Sequence, residues 1–333
     1  MTSSRARWGA RSEREATSAR RRYHPDGIAA RRGRTHAGAR FHTPPTRQGG
    51  LVAKPKPLWS ALDEIAERVE GAERLYVAAD FDGTLAPIVS HPDRAVIPPR
   101  TRRALVALGG LTRVRIAVLS GRSLADLARR ARLPGVFLSG VSGLETLSAS
   151  GALRIHLPRG RGLPASLRPQ VIAWCRAFRG AWVEDKRYAV ALHYRAVAAR
   201  RQPAFEAGVR LLVRRHPGVQ LEHGKRVFDL RPAITWSKAD ALGVWLHGAR
   251  AWFSPRVSRL PGRRASRKAR ALLVYVGDDT NDEPAYVWVR RRLGVSIAVG
   301  RRATRAEYGV ASPRHVVWFL EWLAREWRAH HRS

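Results

Sequence analysis

Cysteine is almost absent. Cys175 stands alone in 333 residues, which excludes an internal disulfide framework and any cysteine-rich zinc site. A lone thiol agrees with a reducing compartment, so a cytoplasmic location is expected. Apolar residues make up 44% of the chain, yet no run of them is long enough to span a bilayer, and no membrane segment is expected. Lysine is scarce as well: among 62 basic residues only Lys54, Lys56, Lys186, Lys225, Lys238 and Lys268 are lysines. With 26 acidic residues the formal net charge is +36, a balance that ordinarily points to a polyanion partner. The arginines, however, run through every segment instead of gathering on one helix or loop, and no nucleic-acid reading motif accompanies them. No specific nucleic-acid partner is expected.

The chain is long enough for a sizeable core and for two domains, or one domain with an inserted lobe. Residues 1–57 are rich in Arg, Ser, Thr, Gly and Pro without apolar periodicity, and read as a disordered extension. Order is expected from the amphipathic run Leu58–Val69. Short apolar runs at 75–79, 114–119, 136–139, 271–276 and 296–299 then alternate with helical patterns at 101–108, 123–132, 238–247 and 313–325. That alternation predicts βαβ units and an α/β, Rossmannoid parallel-sheet core. Between them the texture changes to paired strands and helices, predicting an inserted α+β cap lobe. The expected divisions are a disordered extension at 1–57, a core at 58–157 and 232–325 with a flexible insertion at 254–268, a cap at 158–231 and a tail at 326–333.

Three apolar runs end in chemistry. The first delivers Asp80 and Asp82 onto the turn Gly83-Thr84; the second ends in Ser120-Gly121-Arg122; a later one ends in Asp278-Asp279, followed by Asp282. Parallel strands would place all of these at one carboxyl edge, where ligands of open α/β sheets bind. Two carboxylates one residue apart repel each other unless a cation lies between them or the two do different work. Oxygen-only ligands with no nearby His or Cys pair suit Mg²⁺. With a phosphate ester bound, Asp80 can attack phosphorus while Asp82 protonates the departing oxygen and later takes a proton from water. Alone, each motif reads as an ordinary turn or helix start; their order, each after an apolar run, makes one site.

Asp80-Phe81-Asp82-Gly83-Thr84-Leu85, Ser120, Lys238 and Gly277-Asp278-Asp279-Thr280-Asn281-Asp282-Glu283 resemble the four ordered motifs of the haloacid dehalogenase (HAD) superfamily of phosphohydrolases. Val118-Leu119-Ser120-Gly121-Arg122, Gly140-x-x-Gly143-Leu144-Glu145, Glu184-x-Lys186, His193-Tyr194-Arg195 and Leu230-Arg231-Pro232 leading to Ser237-Lys238 resemble, more closely, trehalose-6-phosphate phosphatases. The resemblance covers residues 58–325 apart from the insertion. It implies Asp80 as nucleophile and Asp82 as acid/base and, through its carbonyl, a Mg²⁺ ligand. Asp278 would bind the metal directly, with Asp279 and Asp282 as direct or outer partners. Thr84, Ser120, Gly121 and Lys238 would hold the phosphoryl group. Arg122, Glu145, Lys186, His193 and Arg195 would hold the sugar; spacing of two would set His193 and Arg195 on one strand face. The tryptophans are expected to pack cores. Relatives often carry His where this chain has Ser142, so the contact from that loop is expected to differ. The reaction expected is hydrolysis of trehalose 6-phosphate, with another sugar or glycerate phosphate as the alternative. A further reading is a non-catalytic partner of a trehalose-phosphate synthase; a synthase is in any case a candidate partner.

Overall fold

The computed structural model describes residues 52–89, 92–224, 226–252 and 271–331. The expectations of disorder over 1–51 and of a flexible insertion over 254–268 lie outside the described residues.

In chain order the core opens with β1 (Lys56–Pro57), α1 (Leu62–Glu70) and β2 (Leu75–Asp80). It continues through α2 (Pro99–Gly109), β3 (Val114–Leu119), α3 (Leu124–Ala131), β4 (Phe137–Gly140), β5 (Glu145–Leu147) and β6 (Leu153–Ile155). A lobe follows, made of α4 (Leu167–Arg176), β7 (Trp182–Asp185), β8 (Val190–His193), α5 (Gln202–Arg214), β9 (Val219–Gly224) and β10 (Val227–Pro232). The core resumes with α6 (Lys238–Trp252), β11 (Leu272–Gly277), α7 (Glu283–Arg290), β12 (Val295–Val299), β13 (Tyr308–Val310) and α8 (Pro313–His330).

Nine strands form the main sheet in the order β1-β13-β12-β11-β2-β3-β4-β5-β6. Its central strands are buried on both faces, which is why they read as unbroken apolar runs. Alternation sends Leu75, Val77 and Ala79 to the side covered by α1, α2, α3 and α8, and Tyr76 and Ala78 to the side covered by α6 and α7. The nine-residue α1 is too short to hold alone; the full burial of Ile65 and Val69, roughly 1.5–3 kcal/mol each, docks it. The lobe is a separate antiparallel sheet, β7-β8-β10-β9, whose apolar face packs on α4 and α5 through Val190, Leu192, Phe228 and Leu230. This is the expected α/β core with an inserted α+β lobe.

Two expectations are corrected, and the sheet carries one addition. The sheet is not wholly parallel, because β5 and β6 pair antiparallel beyond β4. Val141 and Ser142 adopt left-handed backbone (φ 49 and 51) and reverse the chain at once, leaving no room for the long crossover that a parallel partner needs. Residues 52–57 are paired rather than disordered: Ala53 bridges Thr304, and β1 lies parallel to β13. Backbone pairing at a sheet edge needs no apolar pattern, and prolines are tolerated there. Finally, the expected tail at 326–333 is helical to His330. Trp327 is buried, its indole donating to Thr112 O at 3.0 Å. Among the described residues no helix is long and apolar enough to cross a membrane.

Candidate active site

Strand order turns back at β2. From there the chain moves outward through β3 and β4 on one side, and later fills the other side with β11 and β12. Such a switch point opens a crevice at the carboxyl ends of the strands. Asp80 ends β2, Ser120 follows β3 and Asp278 follows β11, so the three motifs do meet.

Asp80, Asp278 and Asp282 are all buried, and one carboxylate oxygen from each lies within 4.8 Å of the others. Lys238, the first residue of α6, is enclosed with them. Its Nζ donates to Asp80 Oδ1 at 2.5 Å, to Asp282 Oδ1 at 2.6 Å and to Asn281 Oδ1 at 3.1 Å. Burial pushes the Asp80 carboxyl well above the usual carboxylate range; Lys238 opposes this, while Asp282 and Asp278 add to it. Burial alone would lower the Lys238 ammonium, but Asp282 and Asp80 more than offset it and hold the charge on. Hard oxygen donors, buried and free of His or Cys, fit Mg²⁺.

The two carboxylates that sequence left unseparated differ. Asp282 spends Oδ2 on the amides of Asp278 and Asp279, at 3.0 Å each, and its Oδ1 also accepts the Tyr275 hydroxyl at 2.6 Å. It orders the loop that presents Asp278. Asp279 turns its carboxylate onto Thr280 N at 2.8 Å and stands outside the buried trio. Arg302 braces the same loop from the far side, donating to Asp279 O at 2.6 Å and pairing with Glu283. Gly83 is required by this arrangement: it has φ +81, and a Cβ there would sit 2.2 Å from Asp278 Oδ2.

The expected phosphate-binding groups line the turns. Thr84 is fully buried, with no hydrogen-bond partner for Oγ1 among the described residues. Ser120 Oγ accepts the Arg122 amide at 3.1 Å. The 141–143 turn wraps this segment, Ser142 N donating to Ser120 O at 2.9 Å and Val141 N to Arg122 O at 2.7 Å. Ser142 Oγ therefore stands against Gly121, 3.7 Å from where a Cβ would be.

On the lobe, the register of β7, β8 and β10 places Glu184 and Asp229 either side of Ala191 on the polar face. Lys186 Nζ donates to Asp229 Oδ1 at 2.6 Å, and His193 Nε2 lies 2.9 Å from Glu184 Oε2, its ring stacked on Trp182 at 3.9 Å. Burial works to lower the Lys186 ammonium, but Asp229, Glu184 and then Asp82 carry it above the ordinary lysine range. Burial raises Glu184, yet His193, Lys186 and Arg122 pull it below the usual range. Asp82 and Arg122 belong to the core, so the polar face of the lobe sits within electrostatic reach of the core site.

Like Lys186 and His193, the other three residues expected to meet the sugar are engaged with protein. Arg122 is clamped on Asp82 and Asp126. Glu145 Oε2 accepts Leu124 N at 2.8 Å, at the start of α3, and burial raises its carboxyl above the usual range. Arg195 lies beyond the end of β8, exposed, donating to Val89 O at 3.2 Å, so it does not share a strand face with His193. Asp126, Asp229, Tyr275 and Arg302 were not expected. Asp126 carried a signal, its spacing of four from Arg122 across a helix start. Asp229 had none, since its pairing depends on strand register.

A family described as Trehalose-phosphatase matches residues 78–314. A trehalose-phosphate phosphatase of Mycobacterium tuberculosis (strain ATCC 25618 / H37Rv) is 37% identical over 260 residues, covering 75% of this chain and 61% of its own length. The chain thus spans about three-fifths of the length of the mycobacterial relatives it matches. The solved C-terminal domain of the Candida albicans trehalose-6-phosphate phosphatase superposes with a TM-score of 0.67 at 20% identity, covering 83% of this chain and 99% of that one. A haloacid dehalogenase-like hydrolase from Bacteroides thetaiotaomicron gives 0.52 at 16% identity, covering 75% and 99%. Both likenesses show the HAD fold. Since the family match runs across both halves of the core and the lobe between them, the chain belongs to the trehalose-phosphatase family.

Proposed function

We propose that this chain is a Mg²⁺-assisted phosphatase that hydrolyses trehalose 6-phosphate to trehalose and phosphate. The observation that carries this reading is the buried trio Asp80, Asp278 and Asp282 with Lys238 among them, at the switch point of the sheet and within reach of a polar lobe. Asp80 attacks phosphorus, the bond from phosphorus to the sugar oxygen breaks, and Asp82 gives that oxygen a proton. Asp82 then takes a proton from the water that attacks the aspartyl-phosphate, and phosphate leaves with Asp80 restored. Lys238 keeps its proton throughout, because Asp282 holds its other side while Asp80 turns to phosphorus. Thr84 and Ser120 hydroxyls and the Gly121 amide would bind the equatorial oxygens. Asp80 and Asp278, with the Asp82 carbonyl completing the set and Asp282 ordering the loop behind them, would hold Mg²⁺, which supplies the positive charge that lets a carboxylate approach a phosphate ester.

Glu184, Lys186, His193 and Asp229 form the sugar-facing set, a row of charged acceptors and donors suited to hydroxyl groups. Ser142 in place of the family's frequent His leaves the loop beside Gly121 with a shorter reach. The single buried thiol of Cys175 supports a cytoplasmic location as part of the same proposal. Phosphate release from a panel of sugar phosphates, with Mg²⁺ and with EDTA, tests the reading. Trehalose 6-phosphate turned over no faster than glucose 6-phosphate would overturn the substrate, and EDTA-insensitive turnover would overturn the metal.

A further inference from the structure

Arg122 is held on every side by protein. Its Nε and Nη2 donate to the two oxygens of Asp82, each at 2.7 Å, Nη2 also reaches Pro92 O at 3.0 Å, and the guanidinium lies over the Phe81 ring at 5.4 Å. The remaining nitrogen, Nη1, donates to Asp126 Oδ2 at 2.7 Å. Asp126 is fixed in turn: Arg130 Nε donates to its Oδ2 and Arg129 Nη2 to its Oδ1, both at 2.7 Å, and its amide donates to the helix cap Ser123 Oγ at 3.3 Å. Arg130 is itself tied to Asp93 O at 2.7 Å and to Asp93 Oδ1 at 2.9 Å.

The contrast in exposure gives this chain of pairs its meaning. The Asp82 side chain is 41% exposed and would sample several rotamers, whereas the Arg122 side chain is 8% exposed. A planar fork on both oxygens fixes the plane and direction of a carboxylate in a way that one point contact does not. An arginine, however, loses much rotamer freedom when held, so the fork is only as well placed as its own anchor. That anchor is Asp126.

We infer that Asp126, acting through Arg122, is a positioning residue for proton transfer by Asp82. This inference rests on the reading of Asp82 as acid and base. In the first half-reaction the bond from phosphorus to the sugar oxygen breaks, its electron pair stays on that oxygen, and the proton on Asp82 moves there as the bond from Asp80 to phosphorus forms. An alkoxide leaves poorly without that proton. A nitrophenolate leaves well without one, so its release is insensitive to where Asp82 points.

The test compares wild type, Asp126→Asn and Arg122→Lys on trehalose 6-phosphate and on p-nitrophenyl phosphate, with thermal unfolding of each variant alongside. General acid catalysis contributes about 10²–10⁴-fold. The expected result is a fall in kcat/KM for the sugar phosphate of at least about thirtyfold, carried by kcat, with the ratio of sugar to aryl phosphate shifting at least about tenfold. Asp126→Glu should restore part of that ratio. Equal losses on both substrates, or a loss confined to KM, would overturn the inference and leave Asp126 a structural staple. If Asp126→Asn does not fold, Arg122→Lys, which keeps the buried charge but not the fork, gives the same reading. A wild type active on other alkyl phosphates but not on trehalose 6-phosphate would overturn the substrate alone, the ratio then being read on the active ester. A wild type inactive on every ester would overturn both.

Discussion

Lys238→Met removes one charge from the most enclosed point of the site, and its consequences follow from the pairs that it leaves. The Lys238 side chain is 0% exposed, with Asp80 at 2.5 Å and Asp282 at 2.6 Å. Methionine fills much of the same volume, so packing changes little while two buried carboxylates lose their shared cation. Removing one partner of a buried pair costs about 3–5 kcal/mol. At about 2–4 °C per kcal/mol, usual for domains of roughly 200 residues, the unfolding midpoint should fall about 6–20 °C. Turnover should fall about 10²–10³-fold, as when one donor to developing charge is lost. Added Mg²⁺ should raise the midpoint of the variant more than that of wild type, since the cation then replaces the missing ammonium. The assay is calorimetry with and without Mg²⁺. A midpoint equal to wild type, or an equal response to Mg²⁺ in both proteins, would refute the reasoning.

Gly83→Ala should abolish activity and destabilise by about 1–3 kcal/mol, because the added Cβ meets Asp278 Oδ2 on a backbone at φ +81; phosphate release and denaturant unfolding check it. A chain shortened to begin at residue 58 loses the pairing of β1 with β13 and the Ala53–Thr304 bridge, and should melt below a chain shortened to begin at residue 52; equal midpoints would contradict the edge-strand assignment. Burial raises the Asp126 carboxyl, but Arg130 and Arg122 outweigh it and hold it below its ordinary value of 3.8. Its stabilisation is therefore present above that value and lost as pH falls through the lower folded one. The stability gap between wild type and Asp126→Asn, measured by denaturant titration, should be wide at neutral pH and narrow below about pH 3.8; a constant gap would refute it.

The sheet was readable where burial on both faces leaves a distinct mark. Leu75–Asp80 and Val114–Leu119 are long apolar runs, and each ends in a residue of the site. β5, β6 and β13 have three residues each, too few for any period to show, and their pairing depends on turns elsewhere. Helix α7 begins at Glu283-Pro284 directly after the acidic loop, so its start is masked by the motif that precedes it. Within the site, residue type was legible and direction was not. Arg122 looked free to meet a sugar because its partner, Asp82, lies forty positions earlier in the chain. Glu145 was expected at the sugar, and the close approach of Gly140 to Leu124 instead brings a helix amide against it. Asp279 and Asp282 share a loop and a charge, and only their hydrogen bonds separate them.

The central claim is that Asp80 becomes phosphorylated during turnover. Rapid acid quench of the protein with trehalose 6-phosphate and Mg²⁺, followed by peptide mapping, reads this directly. A phosphoryl group on the peptide carrying Asp80, absent in Asp80→Asn, is the predicted result. Turnover with no covalent phosphate at any time after mixing, or with the label on another residue, would contradict it.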